Sequence, residues 1–491
     1  MKVDSKQNII WRIFLVVFSI DMTFVWFFSV IKTENHLPAS KMVLLPVVML
    51  VILCLFALYI NKLAVFLDKK TKFLLPAFLV GYGLLIYGIG LSGRCEPVHD
   101  QEAVYQGALY FSGLSEEINW PYFARCNNNI MPAVILGVIF RIGSIGCRLD
   151  PYYFAVFVNV LQVLLTMYCM FKMSKERNGI VGAWLAVIML ALFIPVIGHS
   201  KSLYTDSMSF CFGVVGAFLL LNSEKSKSKK HYWINSVLGG LMIGIGAAIK
   251  MTVLIAVISI LLFSLLEKNK KLFCNTCIAF GVALSFIMLC NQYTTTLPCE
   301  EMRDSYGTPK VSYFMGIGMK GNGGYIDNQE YSASLNTIYG MAEKETWSRQ
   351  YIKQNAYEFL NKEHIKKKLR YNFANGALGC DIFVHTLEND NILYRLMHYN
   401  GDYYWRYSMM MTAYMYTCYI LIIACGVLMV VKKQKVDFLS GVSLITLFGI
   451  MLYLMLFEAN NRQLYNHLPW IVLAASSGLV EFLNLFRKRN N

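Results

Sequence analysis

The feature that most constrains this chain is a succession of long apolar stretches. A helix needs about 20 mostly apolar residues to cross the hydrocarbon core of a bilayer, and twelve stretches of the 491-residue chain approach that length. Charged residues make up only 15% of the sequence, against roughly 25% in soluble proteins. We therefore predict an all-α polytopic membrane protein with about 12 transmembrane helices, at 11–31, 43–66, 73–91, 152–173, 179–197, 205–222, 234–249, 252–266, 273–290, 412–431, 438–457 and 465–485.

Two neighbouring stretches, 234–249 and 252–266, are short for a bilayer span. They fit either a hairpin of two helices or one long helix that is broken in the middle. Lys250 lies between them, and a charge at the bilayer centre costs several kcal/mol. A hairpin places Lys250 at the membrane interface, so the sequence favours the hairpin.

A thirteenth apolar stretch, 130–147, contains Pro132 and Arg141, and we predict that it lies in the interface without crossing the membrane. With this choice and a cytoplasmic N-terminus, the inner segments hold 23 Lys and Arg against 6 Asp and Glu, whereas the outer segments hold 22 of each. Basic residues concentrate on the cytoplasmic side of membrane proteins. The sequence therefore predicts two cytoplasmic termini, with inner segments at 1–12, 62–72, 172–178, 223–233, 267–272, 432–437 and 486–491.

The net charge of +15 follows from this orientation and gives no indication of nucleic-acid binding. Two outer segments are too long to be simple connectors, and almost no ionisable residue except Asp21 lies deep in a span. This pattern is less typical of a transporter than of an enzyme that works at the outer surface. We predict two N-terminal transmembrane helices (1–72), a core with an outer catalytic loop (73–290 and 92–151), a sizeable extracytoplasmic α or α+β domain (291–411) and C-terminal transmembrane helices (412–491).

Four cysteines lie in the outer segments, and they suffice for the disulfides Cys95–Cys126 and Cys299–Cys380. A sequence does not determine such a pairing. The outer segments contain no CxxC motif and no His-rich ligand set, so the sequence carries no signature of a metal site.

Acidic residues occur at two places on the outer side. Asp100 and Glu102 follow the third span, and Asp206 begins the sixth. A carboxylate there is close to the membrane and within reach of water, so it can take a proton from an acceptor hydroxyl. Each position also fits a plain helix cap, and local sequence taken alone favours the cap at both.

Basic residues occur at two further places on the same side. Lys250 precedes Met251-Thr252, and Arg462 lies in a polar run between Glu458 and Tyr465. Both cations are at headgroup level, where they can hold a lipid phosphate. The alternative is snorkelling, or an ion pair of Arg462 with Glu458.

Taken together, these motifs resemble the GT-C fold glycosyltransferases, in particular the branch of protein O-mannosyltransferases and bacterial aminoarabinose transferases. The resemblance covers about 73–290 and 412–486 and implies a GT-C-like core. It rests on His99-Asp100-Gln101-Glu102, Tyr204-Thr205-Asp206, Lys250-Met251-Thr252 and the run from Glu458 to Pro469. The glycine-rich run from Met315 to Tyr325 lacks the strand and helix of a nucleotide site, and we predict a loop there.

The resemblance implies an enzyme of the plasma membrane that transfers a sugar on the extracytoplasmic side, from a polyprenyl-phosphate donor to an envelope glycan, lipid or protein. Inverting displacement would use Asp100 as the general base, or to orient the acceptor hydroxyl. Asp206 would support the acceptor or the sugar, and Glu102 would be a further catalytic carboxylate. Lys250, Arg462 and Tyr465 would bind the lipid phosphate. No cofactor is required, although a divalent metal is compatible with this chemistry.

Two other function classes stay open at this point. An outer-leaflet polysaccharide polymerase or ligase also joins lipid-linked glycans, but it would rely on outer Arg and His residues instead of Asp100. A transporter of lipid-linked glycans would need a polar path across the spans, and these spans are too apolar to indicate one.

Overall fold

The computed structural model describes residues 5–31 and 39–487, and every regular element within them is helical. The termini that we predict to be cytoplasmic include residues 1–4 and 488–491, which lie outside the described residues. Among the described residues, eleven helical segments are long and apolar enough to cross a membrane, which confirms the predicted polytopic membrane fold. The helices are α1 (Ser5–Ile31), α2 (Ala39–Lys62), α3 (Ala64–Gly90), α4 (Asp100–Ser112), α5 (Trp120–Arg125), α6 (Ile130–Arg141), α7 (Pro151–Ala191), α8 (Pro195–Ser200), α9 (Thr205–Met208), α10 (Phe212–Lys225), α11 (Lys229–Ile249), α12 (Leu254–Leu266), α13 (Lys270–Thr294), α14 (Arg303–Tyr306), α15 (Lys310–Ile317), α16 (Gln329–Asn336), α17 (Met341–Asn355), α18 (Lys362–Phe373), α19 (Asp381–Val384), α20 (Ile392–Met397), α21 (Tyr404–Val431), α22 (Phe438–Leu456) and α23 (Leu468–Arg487).

The eleven segments differ from the twelve predicted spans at three places. Helix α7 contains the predicted span 152–173 and most of the predicted span 179–197, which are separated only by a kink at Gly179. Gly179 is non-helical, with φ +66°, and glycine is the residue that adopts this conformation most easily. Helix α12 has 13 residues and is too short to be counted. The segment Asn127–Gly146 is counted by length and composition, although we predict that it lies in the interface.

The chain between α3 and α7 leaves and re-enters the bundle at the same end. A Cβ atom on Gly90 would lie 3.0 Å from Val156 Cγ1, and the Cys95 N–H donates to the Tyr152 hydroxyl at 3.1 Å. Between these points α4 packs against α6. Helix α4 has 13 residues and is about 20 Å long, which is less than the thickness of roughly 30 Å that a span must cover. If the segment Asn127–Gly146 alone crossed the membrane, α7 would begin at the opposite end from the end of α3. This geometry supports an interfacial position for 130–147.

Helices α11 and α12 form a hairpin that turns at Lys250. At the far end from this turn, the Lys271 ammonium donates to the Ser226 carbonyl at 2.8 Å, just before α11 begins. Glu267, just after α12, pairs with Lys435 at 3.2 Å. All four of these residues belong to segments that we predict to be inner, so the hairpin interpretation agrees with the structure.

Ion pairs join the predicted inner segments to one another. They connect residues from different segments at one end of the bundle: Lys175 with Asp68, Lys225 with Glu176, and Arg177 with Asp437. Residues 91–150 and 295–403 meet at the other end, where Thr386 donates to the Glu96 carbonyl and Thr308 donates to the Arg125 carbonyl. The two groups of loops predicted from charge are therefore the two ends of the molecule.

The large outer segment consists of short helices, α14 to α20, and has no strand, so the α alternative of the predicted α or α+β domain is the one observed. A small apolar core holds part of this segment together and contains Tyr313, Ile317, Tyr331 and Leu335. The predicted boundary between 72 and 73 falls inside α3, because α2 and α3 are separated only at Leu63.

Candidate functional site

The site is built around Asp206, whose side chain is only 1% exposed. Tyr204 is extended, and the short helix α9 then turns the carboxylate into the protein. The Lys250 ammonium contacts Oδ1, and Arg462 Nε lies 3.2 Å from Oδ2. A buried carboxylate is stable only when it is paired. The structure thus brings together three predicted site residues that are far apart in the sequence.

Local backbone structure presents both cations to Asp206. Lys250 ends α11 in an extended conformation, with φ −150° and ψ 110°. Arg462 lies in the 3₁₀ helix Asn461–His467, whose first turn is capped by the Asn460 side chain accepting the Arg462 N–H at 3.1 Å. The Arg462 guanidinium also lies over the Tyr204 ring, 5.1 Å from its centroid, a cation–π contact. The two cations therefore occupy defined positions.

Asp100 is the exposed part of the site. It is the first residue of α4, and its Oδ1 accepts a hydrogen bond from the Tyr122 hydroxyl at 3.1 Å. Asn129 donates to the Tyr122 oxygen at 2.6 Å and lies 3.5 Å from the Tyr204 hydroxyl. A polar chain therefore runs from Asp100 to the tyrosine under Arg462. The side chain of Asp100 does not cap α4, which excludes the plain capping interpretation.

Glu102 does not join this chain. Residues two apart on a helix point to different sides, and the exposed side chain of Glu102 makes no hydrogen bond or ion pair to the described residues. The predicted catalytic role of Glu102 has no geometric support.

Tyr465 packs in the wall of the site. Its ring stacks on His199 with centroids 3.6 Å apart and on Phe210 at 4.7 Å, and the residue is 1% exposed. His199 is itself fixed by a hydrogen bond between its Nε2 and the Leu378 carbonyl at 2.9 Å. Burial lowers the pKa of His199 to about 3, so this imidazole is neutral. The role of Tyr465 in phosphate binding stays a prediction.

Glu458 is a site residue that sequence reasoning treated only as a partner for Arg462. That alternative is wrong, because Arg462 pairs with Asp206 and Glu458 has no ion pair within 4 Å among the described residues. Burial is the main effect that raises the pKa of Glu458, and the nearby charge of Asp100 adds to it. The cations Arg462, Lys250 and Lys368 lower the pKa, and the net value is about 7. The site thus contains a carboxyl group that titrates near neutral pH.

Residues 3–480 match the model of a family described as conserved hypothetical integral membrane protein. The chain belongs to this family. A search of curated proteins finds no match. Among solved structures, the chain is similar to ArnT from Cupriavidus metallidurans bound to undecaprenyl phosphate, with 10% identity over 84% of this chain and 78% of that one, and a TM-score of 0.35.

In this integral membrane protein the described residues contain no group of three or more His, Cys, Asp or Glu side chains that could hold a metal ion. Both oxygens of Asp206 face cations. The four outer cysteines are free thiols, so neither of the two disulfides considered from the sequence is formed. Cys380 Sγ instead donates to the Pro195 carbonyl at 3.5 Å.

Proposed function

We propose that this protein is a membrane glycosyltransferase that moves a sugar from a polyprenyl-phosphate-type donor to an acceptor of the cell envelope. The observation that carries the proposal is the meeting of Lys250 and Arg462 on one buried carboxylate, Asp206, with a second, exposed carboxylate at Asp100. At the buried carboxylate itself, two cations meet one anion and leave a local surplus of positive charge. A phosphate is the kind of leaving group that such a surplus stabilises.

The two cations retain donors for a phosphate. Asp206 engages the Nε of Arg462, while the Nη1 and Nη2 donors make no hydrogen bond to the described residues. An arginine with a free edge can hold two oxygens of a phosphate at once. The ammonium of Lys250 has three donors, of which Asp206 takes one. Asp206 then orients both cations, and Tyr465 backs the segment that carries Arg462.

Transfer would proceed by direct displacement with inversion. The acceptor hydroxyl oxygen forms a bond to the anomeric carbon, while the bond from that carbon to the phosphate oxygen breaks. Asp100 takes the hydroxyl proton, and the lipid phosphate leaves with the electron pair, held by Lys250 and Arg462. The phosphate leaves as an anion, so neither a general acid nor a metal ion is needed for its departure.

The Asp100→Asn variant tests the base. With polyprenyl-phosphate sugars and an envelope fraction as acceptor, we expect at least a 100-fold loss of kcat, a typical effect of removing a general base. Glu116→Gln is the matched control, because Glu116 is exposed in the same outer loop and its side chain makes no hydrogen bond or ion pair to the described residues. Equal activity of the two variants would contradict the assignment of Asp100.

The proposal also places the site on the extracytoplasmic side and both termini in the cytoplasm, on the strength of the basic inner segments. Cysteines introduced at Glu116 and Lys227, both exposed and at opposite ends of the molecule, provide the test. In intact cells, a membrane-impermeant thiol reagent should label Glu116→Cys above the level of the parent protein and label Lys227→Cys only to the parent level. The reverse pattern would invert the orientation.

A further inference from the structure

The outer segment reaches the candidate site through one buried lysine. Lys368 of α18 is 0% exposed, and its ammonium donates to the carbonyls of Met455 and Phe457 at 2.8 Å each and of Gly318 at 3.0 Å. Met455 and Phe457 belong to the end of α22 and the bend that follows it. These carbonyls have no partner within the helix, so Lys368 fixes the backbone immediately before Glu458.

The glycine-rich loop closes around the same bend. A Cβ atom on Gly318 would lie 2.6 Å from the Phe457 oxygen, and one on Gly323 would lie 2.6 Å from Lys368 Cε. Gly323 also has φ +79°, and its carbonyl accepts the Ala459 N–H at 2.8 Å. Glycine is needed at both positions because backbone and lysine approach too closely for a side chain. The loop and Lys368 therefore hold the bend on both sides of Glu458.

Glu458 in turn decides the charge of the site. Without it, three cations, Lys250, Arg462 and Lys368, face two carboxylates, Asp206 and Asp100, which leaves one positive charge. An ionised Glu458 cancels that charge. The charged groups that face Glu458 are Arg462, Asp100, Lys250 and Lys368. A protonated Glu458 favours an anionic ligand, and an ionised Glu458 opposes it.

We propose that Glu458 is a positioning and charge-setting residue of the phosphate site, and that the outer segment holds it there through Lys368 and the glycine-rich loop. This inference rests on the proposed function, because it takes the ligand of Lys250 and Arg462 to be a lipid phosphate. It also gives residues 291–411 a role: they fix a carboxyl group next to the two cations.

Binding of a short-chain polyprenyl phosphate to the purified full-length protein in detergent tests the charge-setting role. At pH 6 the Kd of Glu458→Gln should equal that of the wild type, since Glu458 is mostly protonated there. At pH 8 the variant should bind at least about five-fold more tightly. The phosphate of the polyprenyl ligand itself titrates near pH 6, but the free ligand is the same in both measurements, so its titration does not change the ratio of the two Kd values. Equal Kd values at both pH values would overturn the inference, whereas no binding by either protein would instead refute the proposed function.

Lys368 is tested by coupling to Glu458. In a Lys368→Met background the pH 8 gain from Glu458→Gln should disappear, and Lys368→Arg should restore it. Lys344→Met is the matched control, since Lys344 is also 0% exposed and donates to two backbone carbonyls, at 2.9 Å, away from the site. A merely structural role of Lys368 would leave the Glu458→Gln gain unchanged in all three backgrounds and would contradict the proposal. If Lys368→Met does not fold, Ala459→Pro replaces it in the test, because it removes the N–H that donates to the Gly323 carbonyl. Ala459→Pro should then abolish the tighter binding that Glu458→Gln produces at pH 8.

Discussion

Ionic clusters lie at both ends of the molecule, and they differ in their balance of charge. At the inner end, Arg177 lies 2.6 Å from Asp437 and 3.3 Å from Glu481, and Lys432 lies 2.8 Å from Glu481. Two cations meet two anions there. At the outer end, Lys250 and Arg462 share the single carboxylate Asp206.

The difference separates a structural cluster from a binding site. A balanced group of charges satisfies itself and ties helices together, and nothing in it attracts a ligand. A buried surplus of positive charge is costly unless an anion compensates for it. The surplus at the outer end therefore indicates a site for an anion, whereas the inner network of α7, α21, α22 and α23 is adequately explained by packing.

The largest effect should come from removing one cation at the outer end. Arg462→Met leaves Lys250 and Asp206 as a neutral pair, and we expect at least about a 100-fold loss of kcat. Arg177→Met at the inner end should lower stability but leave kcat of the folded protein within about two-fold. Activity and thermal stability of both purified variants check this comparison. Equal losses of kcat would mean that the two clusters do not differ in function.

An intermediate effect should follow from removing the shared anion. Asp206→Asn leaves two buried cations without a carboxylate, and such a change costs about 3–5 kcal/mol of folding free energy. Asp437→Asn should cost less, because Arg177 keeps Glu481 and an asparagine still caps α22, as Asp437 does with the Ser440 N–H. Denaturation in detergent measures both. A larger loss for Asp437→Asn would reverse the assignment of the two clusters.

The smallest effect is expected at Tyr465. Tyr465→Phe keeps the ring that stacks on His199 and Phe210, so kcat and the Kd for polyprenyl phosphate should stay within about two-fold of the wild type. A ten-fold weaker Kd would instead show that the hydroxyl reaches the phosphate, as the resemblance implies.

Much of the fold follows from hydrophobicity and charge alone. The apolar stretches predict the helices, and the basic segments predict which loops meet, because each effect acts on every span independently of tertiary packing. The hairpin at Lys250 followed from the cost of a charge in the bilayer. The division of the loops into inner and outer segments also predicted that four site residues lie at the same end of the molecule: Asp100, Asp206, Lys250 and Arg462.

The contacts within the site were not predictable in the same way. Arg462 was expected to bind phosphate, to snorkel or to pair with Glu458. Its ion pair with Asp206 instead depends on how α9 and the segment 461–467 pack. Lys368 lies in the basic run from His364 to Arg370, whose charge is typical of a solvated helix face. One side of that helix is buried, with His364 and Lys368 at 4% and 0% exposure. Nothing local distinguishes Lys368 from its exposed neighbour Lys367, since its three carbonyl partners come from distant parts of the chain.

The most direct test of the central claim is the anomeric configuration of the product. Purified protein would be incubated with polyprenyl-phosphate hexoses and pentoses and an envelope fraction, and the product analysed by NMR. We predict release of polyprenyl phosphate and a glycosidic bond of configuration opposite to that of the donor, with both lost in Arg462→Met. A product with retained configuration, or sugar that stays on the lipid with every donor, would contradict the account.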